Sequence, residues 1–172
     1  MDCKNLSKQE IRTKAKGIRN NLDIQEISKN LVSKIKNLDI YKQSKNVLIF
    51  YPLKNEINLL DLLKDNKNFY LPKVSGENLV ICPFTKDLEI SKLNIFEPCS
   101  EPIDEKILDL IFLPALAADR ENYRLGYGKG FYDRFLAKNP NTATILPIAK
   151  ELVFEHLPHE TFDRKADIVI SV

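Results

Sequence analysis

The segment LDLIFLP, from Leu108 to Pro114, breaks its apolar run only at Asp109, and continuous apolarity of that length suits a strand covered on both faces of a sheet. A second run, VLIFY from Val47 to Tyr51, ends at Pro52 and reads as another buried strand. FYLPKV from Phe69 and LVICPF from Leu79 predict two strands around a turn at Ser75 to Asn78, with Pro72 and Pro83 marking strand ends or edges. ATILPIA from Ala143 and ADIVISV from Ala166 supply two closing strands. Helical patterns precede and separate these runs. Ser7 stands three residues before Glu10, and Asp23 three before Glu26, the spacing of a capping box. Ile27, Leu31, Ile35 and Leu38 then recur at helical spacing with Lys29, Lys34 and Lys36 between them. Leu59, Leu62 and Leu63 suggest a brief helix, and Phe131, Phe135 and Leu136 a later one that should stop near Asn139 and Pro140. Strands alternating with helices imply βαβ units, hence an α/β fold with a mostly parallel sheet flanked by helices.

Size and charge narrow the function classes. A chain of 172 residues, 44% hydrophobic and 29% charged, reads as one globular domain spanning 1–172. Its net charge of +2 is too small for a dedicated nucleic-acid binder. The excess is concentrated, since residues 1–45 hold 11 Lys and Arg against 5 Asp and Glu, enough to draw a nucleotide. Cys3, Cys82 and Cys99 have no short metal-ligand spacing and leave an odd thiol, which fits a reduced, cytoplasmic setting. No apolar run approaches the roughly 20 residues that span a bilayer.

Chemistry concentrates in RLGYGKGFYD, Arg124 to Asp133, which holds three of the five glycines at every second position. Gly126, Gly128 and Gly130 are expected to allow positive φ and close approach, turning successive N–H groups toward an anion. Arg124 and Lys129 add cations, and Asp133 adds a carboxylate of the kind that holds Mg²⁺ against phosphate oxygens. The decapeptide is expected directly after LDLIFLP, at the carboxyl end of a strand, where α/β folds gather ligands. Its G-x-G-x-G spacing is neither a P-loop nor a dinucleotide fingerprint. Lys129-Gly130-Phe131 starts like an RNA-binding octamer, but Tyr132 and Asp133 break that pattern.

Other candidates are weaker alone. Lys8 and Arg12 lie four apart, so they share a helix face and can converge on one anion. Tyr51 and Glu56 flank the end of the first strand, and a carboxylate there suits ring N–H groups of a ligand, although an isolated loop Glu is usually exposed. His156 and His159 sit in E-H-x-x-H-E, but Pro158 disrupts the helix a zinc pair needs, so both read as structural or surface residues. Asp163 and Asp167 precede the last strand, to cap a turn or for one of them to supply a second oxygen ligand to Mg²⁺. No Ser-His-Asp or Cys-His arrangement stands out.

KQEIR (Lys8 to Arg12), FYPLKNE (Phe50 to Glu56), IFLPALAAD, RLGYGKGFYD and ADIVIS together resemble the 5-formyltetrahydrofolate cyclo-ligase family, over essentially the whole chain. The resemblance implies a fold similar to that of sugar-phosphate isomerases and coenzyme A transferases. It implies ATP- and Mg²⁺-dependent conversion of 5-formyltetrahydrofolate to 5,10-methenyltetrahydrofolate by a cytoplasmic, monomeric chain with no nucleic-acid or membrane partner. ATP would lie along Lys8, Gln9, Glu10, Ile11 and Arg12 and along Arg124, Leu125, Gly126, Tyr127, Gly128, Lys129, Gly130, Phe131 and Tyr132. Lys129, Arg124 and Tyr132 would be catalytic, Tyr51, Glu56 and Tyr132 would position the folate, and Asp133 and Asp167 would hold Mg²⁺. Two positions depart from the family: Asn122, usually glycine, which tolerates left-handed φ, and Tyr127, often a smaller or basic residue. The rival readings are a non-catalytic nucleotide- or RNA-binding module and a sugar-phosphate isomerase.

Overall fold

Successive residues of the central strands face opposite cores. Val47, Ile49, Leu110, Phe112 and Ile145 pack into one apolar cluster, while Leu48, Ile111, Leu113 and Leu146 pack into another, and all are buried. The period of two explains why LDLIFLP carries no polar alternation, because each face of its strand needs apolar cover. The computed structural model describes residues 6–92 and 94–172; Cys3 lies outside them.

In chain order the elements are helices α1 (Lys8–Arg19), α2 (Ile24–Asn37) and α3 (Asp39–Gln43), then strands β1 (Asn46–Leu48), β2 (Asn68–Ser75), β3 (Asn78–Pro83), β4 (Leu88–Ile90), β5 (Phe96–Pro98), β6 (Leu110–Phe112), β7 (Ala117–Asp119) and β8 (Arg124–Leu125). Helix α4 (Phe131–Lys138) and strands β9 (Ala143–Ile148), β10 (Val153–Phe154) and β11 (Ile168–Ser171) complete the chain. The brief helix expected near Leu59 is a 3₁₀ turn, Leu60–Lys64.

The six-stranded sheet has the order β11-β9-β6-β1-β2-β3. Where a mostly parallel sheet was expected, the sheet is mixed: β11, β9, β6, β1 and β2 run parallel, and β3 returns antiparallel through the turn predicted at Ser75 to Asn78. That turn is too short for the crossover a parallel partner needs. Two small sheets, β10-β7-β8 and β4-β5, have strands of only two or three residues. Helices α1 and α4 cover one face through Ile11, Ala15, Phe135 and Leu136. The other face takes α2 and α3 through Leu31, Ile35 and Tyr41.

Local chemistry sets the helix starts. Ser7 Oγ accepts from Glu10 N at 3.3 Å while Glu10 Oε2 accepts from Ser7 N at 2.8 Å, so both arms of the capping box form. Asp23 caps α2 by accepting from Glu26 N at 3.0 Å.

Two expectations are corrected here. Pro72 marks neither a strand end nor an edge; it sits inside internal strand β2, opposite Ile81. Its missing N–H costs little, because β1 pairs with β2 only as far as Tyr70, and the next amide on that side, Val74 N–H, already turns away to Glu97 Oε1 at 3.1 Å. The decapeptide also does not follow β6 directly, since β7 leads to a turn and the glycines emerge from β8. Asn122 makes that turn with φ 69°, the left-handed backbone expected of it.

Candidate active site

Beyond the carboxyl ends of β1 and β6 opens a cavity of about 530 Å³. The glycine loop, α1, the chain after β1 and the Glu160 to Asp163 segment all line it. Gly128 and Gly130 have φ of 99° and 67°, whereas Gly126 does not adopt positive φ, contrary to the expectation for all three. A Cβ on Gly128 would stand 3.3 Å from the Arg12 guanidinium, so that glycine also makes room for α1. Gly130 starts α4 with no side-chain cap, which leaves the first amides of the helix open to an acceptor.

Four cations line the space: Lys8, Arg12, Arg124 and Lys129. Arg12 Nε donates to Gly126 O at 2.9 Å, tying α1 to the loop. Arg124 Nη2 donates to Asp133 Oδ1 at 2.7 Å, with 4% of the Arg124 side chain exposed. Lys8 Nζ lies 2.7 Å from Asp163 Oδ2 and 3.1 Å from Glu160 Oε1. Burial alone would lower the Lys8 ammonium, but these two partners outweigh it and hold it above its ordinary value. Lys129 is exposed, and its side chain makes no hydrogen bond or ion pair with the described residues. Arg124 Nε and Tyr132 Oη are buried without a hydrogen-bond partner among the described residues, unmet capacity in a cavity wall.

The other side of the cavity is built by the turn after β1. Asn55 has φ 61°, Glu56 N donates to Leu53 O, and Leu53 N donates to Glu56 Oε2 at 2.9 Å. This turn swings Glu56 inward, so it is 6% exposed rather than a solvated loop carboxylate. Burial pushes its carboxyl above the ordinary value, opposed by bonds from Leu53 N–H and Tyr127 and by the charge of Arg19. Tyr51 lines the same wall with its ring 4.9 Å from that of Phe96.

Residues 4–172 match the 5-formyltetrahydrofolate cyclo-ligase family. The chain is 30% identical to the 5-formyltetrahydrofolate cyclo-ligase of Haemophilus influenzae, over 91% of this chain and 92% of that one. The chain belongs to the 5-formyltetrahydrofolate cyclo-ligase family, a family of ligases. Its structure superposes on the 5,10-methenyltetrahydrofolate synthetase of Aquifex aeolicus with a TM-score of 0.83 and 33% identity, covering 96% of this chain and 90% of that one. Its likeness to the 5,10-methenyltetrahydrofolate synthetase of Mycoplasma pneumoniae, TM-score 0.78 at 20% identity over 96% and 98% of the chains, is one of fold.

The cyclo-ligase cavity gathers most of the residues singled out by sequence, but not all. Of the segment Lys8 to Arg12, only Lys8 and Arg12 line it; Ile11 is in the core, Glu10 serves the capping box, and Gln9 faces solvent. The loop from Arg124 to Asp133, with Tyr51 and Glu56, lines it throughout.

Asp167 is not brought there. Its Oδ2 accepts from Thr144 N and Oγ1, both at 2.8 Å, at the amino ends of β9 and β11, while the cavity opens at the opposite end of the parallel strands. Asp163 is the acidic residue of that region that reaches the cavity. The histidines separate: His159 stacks on Tyr123 at 3.7 Å and His156 pairs with Glu121 at 3.3 Å. Arg19 was missed, although its place seven residues after Arg12 is two helical turns along the same face. It is 6% exposed and donates to Ala115 O and, at 2.8 Å, to the Tyr127 hydroxyl.

Among the described residues no helix is long and apolar enough to cross a membrane, and no group of three or more His, Cys, Asp or Glu forms a metal cluster.

Proposed function

We propose that this cyclo-ligase converts 5-formyltetrahydrofolate and ATP to 5,10-methenyltetrahydrofolate, ADP and phosphate. The observation that carries the reading is a single cavity with a phosphate-type wall, the glycine loop with Arg124 and the open start of α4, facing a buried carboxylate, Glu56, suited to ring N–H groups. Lys8, Arg12, Arg124 and Lys129 bind the phosphates. Tyr51, Glu56 and Tyr132 hold the folate.

Mg²⁺ fits this wall, because that ion takes one or two carboxylates and fills its shell with phosphate oxygens and water, so a three-residue protein cluster is not required. Asp133 would hold it, and it would supply charge neutralisation at the phosphoryl oxygens. The formyl oxygen of the folate takes the γ-phosphoryl group and ADP departs. N10 then attacks the activated carbon, closes the ring, loses its proton, and phosphate carries the oxygen away. Arg124 and Lys129 offset the negative charge that spreads over the transferred group, and the Tyr132 hydroxyl, unpartnered in the wall, is available to an oxygen of either substrate. No protein nucleophile is needed, consistent with none standing out in the sequence.

On this reading the enzyme works as a monomer in a reducing cytoplasm on two small molecules, without nucleic acid or membrane. Free Cys82 and Cys99 and the small net charge support it. The layered sheet with its ligand at the carboxyl strand ends is of the kind shared with sugar-phosphate isomerases and coenzyme A transferases.

The test is purified protein with 5-formyltetrahydrofolate, with and without Mg-ATP, followed by near-ultraviolet absorbance of the conjugated methenyl product. Product only with ATP is expected; no product, or turnover of a phosphosugar without ATP, overturns the assignment.

A further inference from the structure

Three polar side chains from three different parts of the chain meet in a line beside the cavity. Arg19 Nη1, at the end of α1, donates to the Tyr127 hydroxyl at 2.8 Å, and that hydroxyl donates to Glu56 Oε1 at 2.8 Å. Arg19 is itself fixed, since its Nη2 donates to Ala115 O just past β6. Arg19 and Glu56 are each 6% exposed, so neither charge is met by bulk water. A phenol between a buried guanidinium and a buried carboxylate can accept from one and donate to the other at the same time, which no aliphatic or basic side chain can do.

We propose that Tyr127, held by Arg19, is a positioning residue that keeps the Glu56 carboxylate ionised and aimed into the folate side of the cavity, and thereby joins the glycine loop to folate binding. The proposal rests on the cyclo-ligase reading for the identity of the ligand.

The geometry assigns each partner one oxygen. Glu56 Oε2 is held by Leu53 N–H at 2.9 Å and Oε1 by Tyr127, so the plane of the carboxylate is set before substrate arrives. Such preorganisation removes the ordering cost from the binding step. The charged and titratable groups facing Glu56 are Arg19 from α1, Tyr127 from the loop and Tyr132 from α4, and the two phenols stay neutral, pushed up by burial first and then by Glu56 itself. Arg19 is therefore the cation that offsets the burial of Glu56, with the phenol as its contact. The same phenol belongs to the segment that carries Gly126 and Gly128, so the loop cannot leave without releasing Glu56.

Tyr127→Phe removes only the hydroxyl and keeps the ring, and Tyr127 is 40% exposed, so the variant is expected to fold. The expected result is a KM for 5-formyltetrahydrofolate raised about tenfold, the cost of losing one bond to a charged group, with kcat much less affected. The acidic limb of kcat/KM should move to higher pH, because a lowering influence on Glu56 is lost. Arg19→Gln should move the limb the same way, and Arg19→Lys should restore part of it. Carbon-13 NMR titration of the Glu56 carboxyl in ligand-free protein reads the same displacement without any turnover. Wild-type KM, limb and Glu56 titration in Tyr127→Phe overturn the relay. An inactive wild type instead overturns the cyclo-ligase reading, and the NMR titration still decides whether the relay governs Glu56.

Discussion

The Arg124 guanidinium and the Asp133 carboxylate stand 2.7 Å apart, nine residues from each other in sequence, on the strand before the glycine loop and the helix after it. The pair closes the loop at its base. It also leaves each group half committed: Arg124 Nε remains without a partner, and Asp133 has its second oxygen available to a cation.

Asp133→Asn tests that division. The amide keeps an oxygen for Arg124 but loses the charge a divalent ion requires. Turnover should fall at least about a hundredfold, while the circular dichroism spectrum stays that of the wild type. Steady-state kinetics across a magnesium series measure it; near-normal kcat at saturating magnesium removes Asp133 from the metal site.

Lys129 gives a cleaner case, because its side chain is exposed and has no partner among the described residues to leave behind. Lys129→Ala should therefore leave the urea midpoint within about 0.5 kcal/mol of wild type. Its kcat should drop by about two orders of magnitude, as expected for a cation acting on a transferring phosphoryl group. A variant that turns over normally would show that Arg124 and the loop amides suffice.

Asp167→Ala separates structure from chemistry in the opposite sense. The carboxylate ties the start of β11 to β9 by accepting from Thr144 N and Oγ1, and Thr144 Oγ1 in turn accepts from Asp167 N at 2.8 Å. Loss of these bonds should cost about 1–2 kcal/mol in urea unfolding, with kcat per folded molecule and the magnesium dependence unchanged. A collapse of activity at full folding would return Asp167 to the metal site.

The contrast between Asp133 and Asp167 indicates what the sequence carried. Binary patterning gave LDLIFLP, VLIFY and the helix from Ile24 because apolar period and cover are local properties, and the decapeptide was legible because glycine spacing writes backbone conformation directly. Strands β4, β5, β7 and β8 were not legible, since two or three residues cannot display a period. Glu56 looked exposed because its burial depends on Asn55 turning left-handed after Pro52, a tertiary outcome of one backbone angle. Asp167 followed from likeness alone, although its place before a parallel strand already put it at the end of the sheet away from the ligand. Pro72 was misread because a pattern shows a missing donor without showing whether any strand lies opposite it.

The Lys8–Asp163 pair adds a prediction in pH. Burial would raise the Asp163 carboxyl, but the bond from Lys8 and the Glu160 amide outweigh it and hold the group below its ordinary value. A depressed carboxyl contributes stability that is complete above the unfolded value, about 3.9, and is lost as pH falls through the folded one. Lys8 is raised, so its share is complete below the unfolded ammonium value, about 10.4, and is lost as pH rises through the folded one. The pair thus stabilises across the whole neutral range. With both side chains a quarter exposed or less, the contribution should be about 0.5–1 kcal/mol. Urea unfolding of wild type and Asp163→Asn should show that gap at pH 7, the gap shrinking as the acid side is approached below about pH 4. A gap that persists undiminished in acid would mean that the bond to Glu160 N–H, which the asparagine can partly keep, matters and the ion pair does not.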